Sequence, residues 1–125
     1  MKLFIALSVV SIFLTSESDC SKKTSNQVKY KGRLEITGIC MNYTIKLIKG
    51  KIDSSKIAAN WTDDATGKSY TNVFALRNPC NFPAYIKQGD EFYFYMDTSA
   101  KKDCITCMAY YPTPPKKIPI IVVEK

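Results

Sequence analysis

One stretch of the sequence constrains the fold more than any other: five large apolar or aromatic residues in succession at 92–96. A Gly89-Asp90 turn precedes them and polar residues follow, which is typical of a β-strand. Side chains in a strand alternate between its two faces. One face carries Phe92, Phe94 and Met96, and the other carries Tyr93 and Tyr95. Because both faces are bulky, we expect this strand to lie in the middle of a sheet or in the wall of a small barrel rather than at an edge.

Five further segments have the alternation or composition of short strands, at 28–38, 43–47, 57–61, 69–76 and 118–123. The first alternates most clearly, and its expected buried face carries Val28, Tyr30, Leu34 and Ile36. The expected buried residues of the fourth are Tyr70, Val73, Phe74 and Leu76. Residues 54–59 are also compatible with a short helix, and the β-branched and aromatic residues within 104–111 favour a strand.

Six or seven short strands separated by turn signals predict an all-β fold, a small five- to seven-stranded barrel or sandwich. In the first strand Gly32 and Gly38 fall in the same register, which indicates strong bending. The curved first strand and the late strand that a Gly-Asp pair initiates resemble the OB-fold, a five-stranded Greek-key barrel. The resemblance implies an OB-like barrel.

The N-terminus reads as a secretory signal. A short basic start, an apolar run at 3–14 and small residues before the expected cleavage after Ser18 predict a signal peptide at 1–18, too short to span a membrane. A polar stretch at 19–27 is the expected flexible tether, and 28–125 forms a single β domain. We therefore expect a secreted protein, or one in the periplasm or associated with the outer membrane.

Cys20 lies just beyond the expected cleavage and is a candidate lipidation site. The compact hydrophobic stretch, the sequence Cys20-Ser21-Lys22-Lys23 and the polar tether resemble the start of short envelope lipoproteins of Bacteroidota. The residues before the cysteine, Glu17 and Asp19, differ from the leucine and small residue of a lipoprotein signal. A lipid-anchored chain and a free secreted chain both stay open, and an anchor is the only membrane contact expected.

An exported chain with five cysteines is expected to contain disulfide bonds. The disulfide candidates are Cys40, Cys80, Cys104 and Cys107, which allow three connectivities. The spacing of Cys104 and Cys107 also admits a thiol-disulfide oxidoreductase, the competing function. That chemistry favours a cysteine at a helix N-terminus, whereas strand-forming residues surround this pair. Four cysteines could hold zinc, but two of them stand alone in the sequence, so no metal site is predicted.

The residues exclude several classes of catalysis. The sequence contains no histidine, which removes the common nucleophile systems and the commonest general base. Its carboxylates cluster in turns, where aspartate is favoured for bonding to the backbone. No phosphate-binding glycine loop is present. We therefore predict a non-catalytic binding or structural module that needs no cofactor.

A net charge of +7 favours anionic partners, although scattered lysines also serve solubility. The predicted ligand face carries Tyr93, Tyr95 and Lys87, and the partner is an anionic or protein ligand. Tyrosines between basic residues are also typical of single-strand nucleic-acid binding, which export makes unlikely. A secreted protease inhibitor is the third function considered, since a cysteine near the mature N-terminus (Cys20) is similar to that of OB-type inhibitors.

Overall fold

The protein was analysed as a computed structural model, which describes residues 27–99 and 107–123. These residues form seven strands and two short 3₁₀ turns, and the described part contains no α-helix. The strands are β1 (Tyr30–Gly38), β2 (Asn42–Lys49), β3 (Ala58–Thr62), β4 (Ser69–Leu76), β5 (Glu91–Met96), β6 (Lys117–Ile118) and β7 (Ile120–Val122). Within these residues no helix has the length and apolar character that crossing a bilayer requires.

All seven strands belong to one sheet, ordered β3-β4-β2-β1-β5-β7, with β6 also paired to β4. Every pairing is antiparallel except that of β4 with β6. Only Pro119 separates β6 from β7, so one interrupted strand contacts β4 at its start and β5 at its end. The pairings thus curve round a single core, although the hydrogen-bonded sheet does not close completely. The prediction of a disulfide-stabilised all-β fold is confirmed.

Aromatic rings fill the inside of this curved sheet. Phe94 is fully buried and lies within 6 Å, between ring centroids, of Tyr30, Phe74 and Phe92. Aliphatic side chains complete the core, among them Leu34, Ile45, Ile57, Leu76, Ile118 and Ile120. Full burial of one such side chain contributes about 1.5–3 kcal/mol, so this cluster is the main source of stability.

The central strand, β5, lies between β1 and β7 in the sheet and not at an edge, as predicted. Phe92 and Phe94 point into the core, whereas Tyr93 on the opposite face is 46% exposed. A single curved sheet has only one interior, and within the described residues no second layer covers the outer face of β5. Its tyrosines therefore face solvent.

The alternation predicted for the first strand is interrupted. Leu34 lies opposite Ile45, but Ile36 lies opposite Thr44, because β1 carries one extra residue between these pairs. Directly opposed residues share a face, so the bulge places Ile36 on the same side of the sheet as Thr44. Ile36 is buried there, as predicted, although it is outside the main core cluster. Val28 precedes β1 and is exposed, contrary to the prediction that it is buried.

Residues 107–116, hereafter the covering segment, form no strand, so the strand expected at 104–111 is wrong in its described part. The Asn42 side chain donates to the Ala109 carbonyl at 3.0 Å, and the Ala75 amide donates to the Lys116 carbonyl at 2.8 Å. Pro114 is fully buried. The segment thus packs on the outer face of β2 and β4, where its prolines prevent regular pairing.

The segment at 54–59, for which a helix was the alternative, is a turn at 54–56 followed by the start of β3 at Ala58. The predicted signal peptide and most of the predicted tether lie outside the described residues, and so does the candidate lipidation site Cys20. Of the residues expected to be buried in the fourth strand, three are buried and Tyr70 is only partly so.

Candidate functional site

The outer surface of three neighbouring strands forms the best candidate site. Lys31 of β1 lies opposite Tyr93 of β5, and Tyr95 lies opposite Ile121 of β7. Opposed residues share a face, so the outward side chains of the three strands make one continuous surface. We call it the tyrosine face; it comprises Lys29, Lys31, Glu91, Tyr93, Tyr95 and Ile121. Tyr93 and Ile121 are each nearly half exposed.

Two lysines flank the exposed ring at the centre of the tyrosine face. The ammonium nitrogens of Lys29 and Lys31 each lie 5.7 Å from the Tyr93 ring centroid, within the range of a cation–π contact. Lys31 also pairs with the Glu91 carboxylate at 2.9 Å. This hydrogen bond, and then the negative charge of Glu91, raise the pKa of Lys31 above its usual value. The Tyr93 ring and the positive charges of two lysines therefore lie side by side on the tyrosine face.

A hollow of about 450 Å³ adjoins the tyrosine face and is lined in part by Lys31, Tyr93 and Val122. Tyr85, which is more than half exposed, forms another part of its wall. Its volume falls in the range of pockets that hold small ligands. A planar or ring-shaped group there would contact Tyr85 and Tyr93, and its negative charge would lie beside Lys31 but also near the Asp90 and Glu91 side chains that line the same hollow.

The structure brings together two of the three residues predicted for the ligand face. Tyr93 and Tyr95 share the face, but Lys87 lies in the loop before β5. The Lys87 amide donates to the Asp90 carboxylate at 2.8 Å, and its ammonium donates to the Ala84 carbonyl at 3.2 Å. Lys87 lines a different hollow, of about 280 Å³.

The alternation of the first strand places Lys29 and Lys31 on the face opposite its predicted buried residues, but it does not connect these lysines to Tyr93. The missing information was the register of β1 against β5, two strands separated by more than 50 residues of chain. The only signal in the sequence is the alternation of both strands, which fixes faces and leaves the partner strand open.

The cysteines stabilise the opposite side of the sheet. A disulfide joins Cys40 to Cys107, 67 residues apart, with 5.2 Å between their Cα atoms. It ties the turn between β1 and β2 to the start of the covering segment. Cys80 is also disulfide-bonded. Cys104 lies outside the described residues. Cys107, one member of the proposed redox pair, is thus bonded to Cys40 in a segment that is not helical.

The turn at this disulfide has an unusual backbone. Cys40 and Met41 have φ values of 56° and 59°, both in the left-handed region. A non-glycine residue there costs about 1–3 kcal/mol unless the surrounding structure imposes it. The disulfide and the Asn42 side chain, which donates to the Ile39 carbonyl at 2.7 Å, hold this turn in place.

Most of the described aspartates accept hydrogen bonds from nearby backbone amides. Asp53, Asp63 and Asp97 each accept, through one carboxylate oxygen, a hydrogen bond from the amide two residues later. The bond from Ser55 lowers the pKa of Asp53. Asp63 is almost fully buried and also accepts from the Tyr111 hydroxyl at 3.2 Å. Among the described residues there is no group of three or more side chains suited to hold a metal ion.

Comparison with known proteins adds no relationship, since no family model, curated protein or solved structure matches the chain. The candidate site therefore rests on its own geometry.

Proposed function

We propose that this protein is an exported, non-catalytic binding module of the cell envelope, and that the tyrosine face takes an anionic ligand. One observation carries the proposal: the half-exposed Tyr93 ring stands on an open sheet face with two lysine ammonium groups 5.7 Å from its centroid. Export follows from the N-terminal signal pattern, which supports a location in the envelope or outside it.

The physical basis is the combination of ring and charge. An exposed aromatic ring gains free energy when a ligand covers it, and burial of its apolar area contributes about 25 cal/mol per Å². The two lysines add attraction for a negatively charged group, which weakens as salt screens it. A sulfated or carboxylated polymer of sugar rings supplies both the flat surface and the charge that this face accommodates.

Glu91 allows a test of whether the ligand of the tyrosine face is negatively charged. Its carboxylate pairs with Lys31 and stands on the same face, so it competes with an anionic ligand and repels it. Replacement by glutamine, Glu91→Gln, removes this negative charge and keeps the shape. We expect Glu91→Gln to bind an anionic probe more tightly, by about twofold to fivefold, as expected for the loss of one exposed ion pair.

The test is calorimetric titration with heparin as the sulfated probe and dextran as the neutral one. Lys29→Ala/Lys31→Ala and Tyr93→Ala should each weaken heparin binding by about tenfold, a change of about 1.4 kcal/mol. The matched control Lys68→Ala/Lys116→Ala removes the same charge from exposed sites elsewhere and should change the affinity by less than about twofold. Equal losses in both double variants would show that total charge, and not this face, attracts the polymer.

A further inference from the structure

Three apolar side chains stand exposed around the disulfide that joins Cys40 to Cys107. Ile39 directly precedes the first cysteine and is 60% exposed. Met108 and Tyr110 follow the second cysteine and are 98% and 81% exposed. We call Ile39, Met108 and Tyr110 the disulfide tip. Single exposed apolar residues are common on protein surfaces, but a cluster on two adjacent segments indicates a contact surface.

Bonds beneath the disulfide tip hold its two chain segments side by side. The Asn42 side chain donates to the Ile39 carbonyl at 2.7 Å and to the Ala109 carbonyl at 3.0 Å. The disulfide, with 5.2 Å between its Cα atoms, adds a covalent link. The backbone of the tip is therefore ordered before it meets a partner, and binding costs little additional entropy.

The exposure of the tip indicates its shape and the kind of partner that fits it. Met108 is almost fully exposed and so touches very little of its own protein, which makes the tip a projection and not a groove. A specific protein interface buries about 800 Å² on each partner, more than three side chains on a projection supply. A lipid surface has no fixed shape to match, and a few apolar side chains can enter its interfacial layer.

Positive charge lies on both sides of the disulfide tip. Met41, next to Cys40 in the same turn, lines two hollows, of about 500 Å³ and 280 Å³. Lys117 also lines the larger hollow and Lys87 the smaller one, and both lysines are exposed. Lysines near a membrane are attracted to anionic headgroups, and the net charge of +7 acts in the same direction. An apolar tip between basic flanks is thus complementary to a lipid layer with negative headgroups.

We propose that the disulfide tip inserts into the interfacial layer of an anionic lipid membrane, with Lys87 and Lys117 beside the headgroups. The apolar side chains supply most of the gain, because acyl chains receive them there. A soluble polymer such as heparin offers no such layer. This contact is separate from the tyrosine face on β1, β5 and β7, and it needs no acyl chain on Cys20.

Co-sedimentation with lipid vesicles tests the insertion. The mature protein, made without its signal peptide and with its disulfides formed, carries no lipid on Cys20, so any binding belongs to the folded domain. With vesicles of phosphatidylcholine and phosphatidylglycerol, half of the protein should bind at about 1 mM lipid, more weakly than a single myristoyl chain would. Vesicles of phosphatidylcholine alone should bind about tenfold more weakly, because the attraction of the lysines is lost.

The double variant Ile39→Ser/Met108→Ser should weaken binding to the mixed vesicles by at least about tenfold, because two apolar side chains no longer enter the lipid. Both positions are exposed, so the variant should fold. The matched control, Val28→Ser/Ile48→Ser, removes two exposed aliphatic side chains at the opposite end of the β1–β2 pair. It should change the affinity by less than about twofold.

Equal losses in the two double variants would overturn the proposal, and so would a wild-type protein that stays unbound at about 10 mM lipid. Tyr93→Ala separates this contact from ligand binding at the tyrosine face. It should weaken heparin binding but leave the affinity for the mixed vesicles within about twofold of wild type. A loss of vesicle binding in Tyr93→Ala as large as that of the tip variant would place the lipid contact on the tyrosine face and overturn the insertion.

Discussion

Gly38, the last residue of β1, lies directly beneath the covering segment, and Gly38→Ala is the sharpest perturbation of their contact. A Cβ atom at this position would lie 2.6 Å from the Asn42 carbonyl oxygen and 2.8 Å from two ring carbons of Tyr111. Its backbone angles, φ −66° and ψ 155°, suit alanine as well as glycine. Any loss of stability therefore comes from the steric clash.

The magnitude follows from these distances. Carbon atoms pack best about 3.5–4.0 Å apart, so the Tyr111 ring must move by about 1 Å. Overpacking of this kind costs about 1–3 kcal/mol. The movement also breaks the 3.2 Å hydrogen bond from Tyr111 to the buried Asp63 carboxylate, which contributes about 1.5–3 kcal/mol. Gly→Ala recovers about 0.4–1 kcal/mol in the unfolded chain. We expect a net loss of about 2–5 kcal/mol.

Urea unfolding with the disulfides intact measures this loss, and Gly67→Ala is the matched control. Gly67 has a φ of 74° and nothing within 4 Å of its would-be Cβ, so alanine there meets strain without a clash and should cost about 1–2 kcal/mol. In a Tyr111→Ala background the penalty of Gly38→Ala should fall by at least about 1 kcal/mol, because the ring is gone. An unchanged penalty in that background would refute the placement of the covering segment.

Three further predictions concern the same side of the sheet. The double variant Cys40→Ser/Cys107→Ser opens a 67-residue loop and should lose up to about 4 kcal/mol of unfolding free energy, whereas a loss below about 1 kcal/mol would show that the bond restrains little. Thr44→Val should stabilise the protein by about 1 kcal/mol, because the buried Thr44 hydroxyl has no hydrogen-bond partner among the described residues; a destabilised variant would contradict this. Burial, and then the hydrogen bond to Asp63, raise the pKa of Tyr111 above 10. A tyrosine with a raised pKa in the folded state contributes stability that is present below pH 10 and declines as pH rises through the folded value. Burial also raises the pKa of Tyr70. Spectrophotometric titration at 295 nm should therefore show two late-ionising tyrosines, of which Tyr111→Phe removes one, and an unaltered curve would contradict the contact.

Much of the fold was readable in the sequence because it depends on local patterns. The alternation at 69–76 and the aromatic run at 92–96 both became strands at those positions or within one residue of them. The alternation placed Tyr93 on the face opposite the core residues Phe92 and Phe94, but it could not establish how far Tyr93 is exposed, since it does not show whether a second layer covers either face of a strand. The same limit applies to Ile36, where one extra residue in β1 reverses every later side chain.

The candidate site was predictable only in part. Tyr93 and Tyr95 follow from the period of one strand, whereas Lys31 joins them through pairing between distant strands. Lys87 is close to Tyr93 in sequence, but the turn before β5 directs its side chain to the Ala84 carbonyl. The sequence left the pairing of Cys40 with Cys107 open as one of three connectivities. This pairing depends on the path of the covering segment across β2 and β4, and an irregular segment has no sequence pattern from which that path could be predicted.

The central claim is that an anionic ligand binds on the outer surface of β1, β5 and β7. Backbone amide NMR spectra recorded during addition of heparin test it most directly, because each shifted signal reports a position. The account predicts that the largest shifts cluster at Lys31, Tyr93 and Ile121, with small changes in the covering segment. Shifts that cluster around Arg77 and Lys117, or no shifts at low salt, would contradict it.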